Sequence, residues 1–200
     1  MPAHSQTSTA AIVAAGRHLM EERGMDALTM RDVADAVGVR APSLYKRVRS
    51  RSDLFRLILE DVTDELTTVL DAAANKDDPV AALRAMAAAY RRFAHANPAA
   101  YTLMFTRPVP GGTARAVRSA ATFLRVMADV AGEADALPAA RMIVAWAHGF
   151  ITMELAGEFR LGGDIEQAWE FGLDRLMAAV RAPAIPSRAA AALPRRLAHG

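Results

Sequence analysis

Between Arg40 and Arg56 stand six basic side chains and one acidic one, a local net charge of +5 in a 200-residue chain whose total is only +2. Residues 57–180 carry 11 basic and 16 acidic groups, so the positive charge is concentrated rather than spread. Cationic charge packed this densely is what a phosphodiester backbone attracts. Arg40 and Ser43 have donors suited to base edges, arginine reading guanine O6 and N7 bidentately. Ala41 and Pro42 are short and apolar, fit for contact with a thymine methyl. Tyr45, Lys46, Arg47 and Arg51 suit phosphates, which fix register without reading sequence. Thr29 and Arg31, a few residues upstream, are placed to grip the backbone from a second element.

These residues need a scaffold, and the local pattern supplies one. Thr29 is spaced to cap a short helix, with Asp32 three residues on completing a capping box. Val33, Ala34 and Val37 form the inward side of that helix. Gly38 suits the left-handed conformation that ends a helix, and Val39 plugs the turn. A second short helix starts near Ala41-Pro42 and turns Leu44 and Val48 inward. Two short helices about a tight glycine turn, over residues 29–48, form the helix-turn-helix pattern, whose second helix lies in the major groove. On the pattern alone, a helical hairpin with a solvated basic face stays open.

Elsewhere apolar residues recur at three and four positions, and no alternating strand pattern appears. Stripes run through Leu54, Leu57, Ile58, Val62, Leu66 and Val69, then Val80, Leu83, Ala87, Tyr90 and Ala94, then Val117, Ala121, Leu124, Ala128 and Ala131. Two more follow, through Ile143, Trp146, Phe150, Met153 and Gly157 and through Ile165, Trp169, Leu173, Leu176 and Val180. The chain therefore reads as all-α with about nine helices. Asn97-Pro98 ends a helix, residues 107–112 form a loop, and Gly162-Gly163 precede a helix capped by Asp164. Residues 182–200, with three prolines among alanines and arginines, read as a disordered tail.

Composition excludes several chemistries. With 52% hydrophobic and 23% charged residues the chain is in the globular range. The absence of cysteine rules out disulfides, thiolate zinc sites and a cysteine nucleophile. Histidines 4, 18, 95, 148 and 199 show no metal-ligand spacing, and no metal or cofactor is expected. No signal peptide pattern opens the chain, and no apolar run is long enough for a membrane span, so a cytoplasmic protein is expected. Arginine supplies 22 of the 24 basic residues, which fits a compositional bias of the source genome rather than a function.

Residues 10–60 resemble the N-terminal DNA-binding domain of the TetR family of transcriptional regulators. The residues that carry the resemblance are Leu28-Thr29, Arg31, Val33-Ala34, Ala36-Val37-Gly38-Val39, Pro42-Ser43-Leu44-Tyr45 and Ser50-Arg51-Ser52-Asp53-Leu54. One departure is visible: where the family often has His-Phe, this chain has Arg47-Val48. The resemblance implies a first helix over 10–22, a second over 29–37, a recognition helix over 41–48 and a connector from Ser52. It further implies a DNA-binding domain over 8–56 and a ligand-binding and dimerisation domain over 57–181. The segment Trp146-Ala-His148-Gly149-Phe150 is similar to a subclass of family C-terminal domains marked by Trp-x-His-Gly.

The second domain is rich in adaptable and flat side chains. Met86, Tyr90, Phe93, Tyr101, Met104, Phe105, Phe123, Met127, Met142, Trp146, Phe150 and Met153 suit a pocket for a small hydrophobic or amphipathic effector, although each also suits an ordinary helical core. His148 reads either as a hydrogen-bonded core or interface histidine or as a polar anchor in that pocket. Gly149, Gly157 and Gly172 permit close helix approach, and the resemblance implies a homodimer built from the last two helices as a four-helix bundle. Dimerisation has a physical motive too, since two recognition helices read two half-sites of a palindromic operator on double-stranded DNA. The expected function is a repressor released by a small molecule. An activator and a non-specific architectural DNA binder are the alternatives, and no catalytic constellation supports an enzyme.

Overall fold

The computed structural model describes residues 8–106 and 112–181, without the side chains of 112–119. Of the expected loop at 107–112, Gly112 instead begins a helix and 107–111 lie outside the described residues, as do the N-terminal seven residues and the tail at 182–200. Among the described residues there are nine helices and no strand: α1 (Thr9–Arg23), α2 (Met30–Ala36), α3 (Ala41–Tyr45), α4 (Arg51–Ala73), α5 (Pro79–Ala96), α6 (Pro98–Thr106), α7 (Gly112–Ala131), α8 (Ala136–Leu155) and α9 (Ile165–Arg181).

Short polar residues set the helix starts by satisfying N–H groups that have no partner within the helix. The Ser8 hydroxyl accepts from the Ala11 N–H, Ser50 from Asp53, Asp78 from Val80 and Ala81, and Asp164 from Glu166 and Gln167. Pro79 and Pro98 open α5 and α6, where a missing N–H costs nothing.

Two apolar clusters hold the helices. The first gathers Ile12, Met20, Val33, Leu44, Val48, Leu54, Ile58 and Val62 from α1–α4 and the segment after α3, and receives Phe93, Ala100 and Leu103 from α5 and α6. The second gathers Leu83, Met86, Tyr101, Met127, Ile143, Ile151, Trp169, Leu173 and Met177. Leu70 and Tyr90 pack against both, and α4 runs unbroken from one to the other. At the α1–α4 crossing, a Cβ placed on Gly16 meets Leu54 and Ile58 methyls at 3.2 Å, so the glycine sets how closely these helices approach.

Some expected registers shift. On α7 the expected stripe holds in part, since Leu124, Ala128 and Ala131 pack against the second cluster, yet Ala121 is exposed and the deepest side chains are Val126 and Met127. Turning the larger groups inward removes more apolar surface from water. On α8 the buried line is Ala139, Ala140, Ile143, Ala147 and Ile151, while Met153 faces outward and Gly157 lies past the helix end at φ +67°. The recognition helix is shorter than 41–48, because Lys46 and Arg47 already lie in a turn.

Within the chain, Gly172 lets α9 approach α8 closely. A Cβ there would collide with Trp146 Cζ2 of the same chain, so this glycine makes room for an indole on α8. Trp146 in turn stacks on Trp169, with ring centroids 4.8 Å apart. Gly172→Ala should displace Trp146 and cost about 1–3 kcal/mol through overpacking. Thermal melts will read the loss, and a shifted emission from the two tryptophans should accompany it.

Candidate functional site

The helix-turn-helix rests on local hydrogen bonds. The Thr29 hydroxyl accepts from the Asp32 N–H at 3.2 Å and donates to Asp32 Oδ2 at 2.5 Å, while the Asp32 carboxylate accepts the Thr29 N–H at 3.3 Å. These bonds, with the Thr29 hydroxyl foremost, hold the Asp32 carboxyl below the usual carboxylate range. At the other end of α2, Gly38 adopts φ +71°. The Gly38 N–H donates to Asp35 O at 3.1 Å and the Val39 N–H to Ala34 O at 2.9 Å. This is the Schellman closure, and it needs a residue tolerant of the left-handed region. Leu44 and Val48, both with no exposed surface, anchor α3 and the turn after it.

The structure sorts the residues expected at DNA into exposed and engaged groups. Pro42, Ser43, Tyr45, Lys46 and Arg47 are exposed, and Arg40 stands exposed at the α3 N-cap. Ala41 is half-buried beside them. Among the described residues, Arg40, Lys46 and Arg47 form no ion pair. Arg31 is exposed on α2 and lies 4.0 Å from Asp35. Thr29 spends its hydroxyl on the cap. Arg51 turns its guanidinium to the carbonyls of Met25 and Asp26. Arg56 is engaged along α4 by Asp53 and Glu60 at 2.8 and 2.6 Å. Asp53 also accepts the Arg49 N–H at 3.0 Å, and that bond, followed by Arg56, lowers its pKa.

A polar joint that the sequence does not announce ties α1 to the start of α6. Glu21 accepts the Ala99 and Ala100 N–H groups, each at 2.9 Å, and so caps α6 from another helix. Arg17 donates to Asn97 Oδ1 at 2.6 Å and pairs with Asp61 and Glu65 of α4. Asn97 donates onward to Phe93 O. Glu21 and Arg17 lie 78 to 80 residues from Ala99, Ala100 and Asn97, and Arg17 lies 44 and 48 from Asp61 and Glu65, so no local spacing signals these contacts.

Of the expected effector residues, the structure brings Tyr90, Tyr101, Phe105 and His148 together. The Tyr101 hydroxyl lies 2.8 Å from His148 Nδ1 and 3.2 Å from the Tyr90 hydroxyl, and Phe105 stacks on the imidazole at 3.8 Å. Burial lowers the His148 pKa and raises those of both tyrosines. At neutral pH this favours an uncharged imidazole accepting at Nδ1 from the Tyr101 O–H, with Nε2 carrying the ring proton. Met86, Phe123 and Met127 pack in the second cluster, whereas Phe93 and Met104 join the first. Met142 and Met153 face outward, 39% and 46% exposed.

Trp146 and Phe150 belong to another group, with Trp169 and Phe159. Arg91 lies beside it, its guanidinium 4.9 Å from the Trp169 ring centre. Arg91 grips Glu154 through Nε and Nη2, at 3.0 and 2.7 Å, and reaches Glu166 on α9 at 2.6 Å. His95 adds a contact to Glu154 at 2.9 Å. The clamp thus joins α5, α8 and α9. Among the described residues no group of acidic and histidine side chains has the arrangement of a metal site. Among the described residues no helix is long and apolar enough to cross a membrane.

A short helix flanked by exposed cations and held on a capped glycine turn, continuous through α4 with a larger helical body, defines a helix-turn-helix DNA-binding regulator. A family model described as Bacterial regulatory proteins, tetR family, matches residues 12–58, and one described as Tetracyclin repressor-like, C-terminal domain, matches residues 83–176. An uncharacterized HTH-type transcriptional regulator of Mycobacterium tuberculosis is 33% identical over 162 residues, which cover 76% of this chain and 72% of the relative. A possible TetR family transcriptional regulator of Streptomyces coelicolor shares the fold with a TM-score of 0.68 at 22% identity, over 86% of this chain and 98% of its own. A variant TetR of Acinetobacter baumannii, solved in complex with minocycline, does so with a TM-score of 0.67 at 22% identity, over 88% and 99%. The chain belongs to the TetR family of transcriptional regulators, a family of regulators and not of enzymes.

Arg91, foremost among its neighbours, holds the Glu154 carboxyl below its ordinary 4.5. A carboxylate depressed by folding contributes stability that is complete above its unfolded pKa and is lost as pH falls through its folded pKa. The wild-type melting temperature should therefore fall as pH descends below about 4.5. Glu154→Gln should melt several degrees lower at pH 7 and lose less over the same acid descent. A Glu154→Gln acid limb parallel to wild type in thermal melts rules out this role for the clamp.

Proposed function

We propose that the protein is a dimeric cytoplasmic repressor that binds a palindromic operator and releases it when a small hydrophobic or amphipathic effector binds. In this reading residues 8–56 read DNA, and residues 57–181 bind the effector and dimerise. The observation that carries the reading is the presentation of Arg40, Ser43, Tyr45, Lys46 and Arg47 on one exposed segment of a buried-anchored helix. Arg40 and Ser43, at the start of α3, have the reach and donors for base edges. Lys46 and Arg47, in the turn that follows, supply phosphate contacts.

Support for the dimer comes from α8 and α9. Leu137, Val144 and Phe171 are 47%, 41% and 62% exposed, among exposed small residues such as Ala145, Gly149 and Ala178. Two such helices from each copy would bury these side chains in a four-helix bundle. Support for an effector comes from the Tyr90–Tyr101–His148 chain, a polar strip with an aromatic wall in Phe105, and from the minocycline bound by the similar Acinetobacter protein. An effector that rearranges Tyr101 acts on α6, whose first turn is capped by Glu21 of α1. Release follows if the effector prefers the rearranged state, and a coupling of about 1–3 kcal/mol is the usual size.

Selection of the wild-type chain against random duplexes should enrich one palindrome of two half-sites. No enrichment would favour a non-specific architectural binder instead. On the enriched duplex, Lys46→Ala with Arg47→Ala should remove about four phosphate contacts per dimer and flatten the log–log salt dependence by about 3.6. An unchanged salt slope refutes the phosphate assignment.

A further inference from the structure

Arg51 is counted with the phosphate-binding residues by charge and position, yet its geometry is unlike that of Lys46 or Arg47. It occupies the first position of α4, the end of the helix dipole that disfavours a cation. Its side chain turns back toward the segment between α1 and α2. Nη2 donates to Met25 O at 2.5 Å and to Asp26 O at 3.2 Å. The guanidinium carbon lies 5.0 Å from the Phe55 ring centre, and Nε is enclosed without a hydrogen-bond partner among the described residues. Charge-assisted bonds to two carbonyls, with an aromatic ring against the guanidinium, make a held group rather than one waiting in solvent.

The connection has a mechanical meaning. α2 and α3 leave the α1–α2 turn at Met25–Asp26 and return to the chain at the start of α4. Arg51 ties these two points together, closing a ring around the recognition helix. α3 itself is anchored in the cluster by Leu44 alone, with Val48 just beyond it. Resting on the operator reading above, we infer that Arg51 is a positioning residue for α3. It fixes the angle at which Arg40 and Ser43 are presented and does not neutralise a phosphate.

The two roles separate through salt and through charge-conserving substitution. The full-length wild type, Arg51→Lys and Arg51→Gln are titrated with the duplex that the wild type enriches from a random library, and with a scrambled duplex of equal length, over a range of salt. A positioning role predicts that both variants bind the enriched duplex about ten-fold more weakly, bind the scrambled duplex within about two-fold of wild type, and keep the wild-type salt slope. Lysine fails here because an ammonium has no flat face to lay against Phe55 while its nitrogen reaches the Met25 and Asp26 carbonyls. The assignment is overturned if Arg51→Lys behaves as wild type while Arg51→Gln flattens the slope by about 1.8, one phosphate per half-site. It is equally overturned if both variants lose both duplexes together with a lowered melting temperature, since Arg51 then merely holds the fold. If the wild type enriches no sequence, the operator reading itself fails and the positioning role falls with it.

Discussion

A carboxylate from the DNA-binding half caps a helix of the other half, and much of the molecule is arranged around that contact. Glu21 takes two N–H groups at the start of α6, groups that no residue of α6 itself could satisfy. A helix N-terminus carries about half a positive charge, so a carboxylate is well placed there. Arg17, one turn earlier on α1, holds Asn97 at the same junction and the acidic groups of α4 beside it, and these carboxylates in turn raise its own pKa. Together they make α1, α4 and α6 one polar joint laid over the apolar contacts of Leu103 and Ala100. The same α6 presents Tyr101 to His148 three positions after Pro98, so the joint and the aromatic strip share a single nine-residue helix.

The charge distribution takes its meaning from which cations are already committed. Counting side chains from Arg40 to Arg56 gives a block of positive charge, but Arg51 and Arg56 are engaged within the chain. The cations near α3 that form no ion pair among the described residues are Arg40, Lys46 and Arg47, while Arg49 lies exposed 3.5 Å from Asp53. Arg91 shows the same economy elsewhere: its charge is matched by Glu154 and Glu166, and its flat face covers Trp169. Net charge by segment therefore locates the exposed cationic surface without saying which side chains compose it.

The elements built from near neighbours were legible in the chain. Thr29 with Asp32, Gly38 after Val37, and Leu44 with Val48 define the helix-turn-helix through interactions within five residues, and each stands as its spacing implies. The family pattern over residues 10–60 extends these same positions. What was not legible depends on contacts between distant segments. Glu21 could as well have been a solvated helix residue, and nothing near it points to Ala99. Trp146 and Gly172 look like independent helix positions until α8 and α9 are packed. The aromatic and methionine-rich set divides among five surroundings, because composition marks a residue as apolar without assigning it to one cluster. The α7 register shows the limit as well, since the row through Leu124, Ala128 and Ala131 is only partly buried beside the deeper Val126 and Met127.

The shortness of α3 has a consequence of its own. Five residues close barely one turn, and a helix that short does not persist in water on its own. Its order is borrowed from Leu44 and Val48, whose side chains lie wholly inside a core assembled by α1, α2 and α4. The surface that faces outward is thus a property of the surrounding packing and not of the segment's own preference. A modest loosening of that core dissolves the segment before it displaces it, so loss of the outward surface can be a local melting event, read by amide exchange at Ser43–Tyr45, with α1 and α4 still protected.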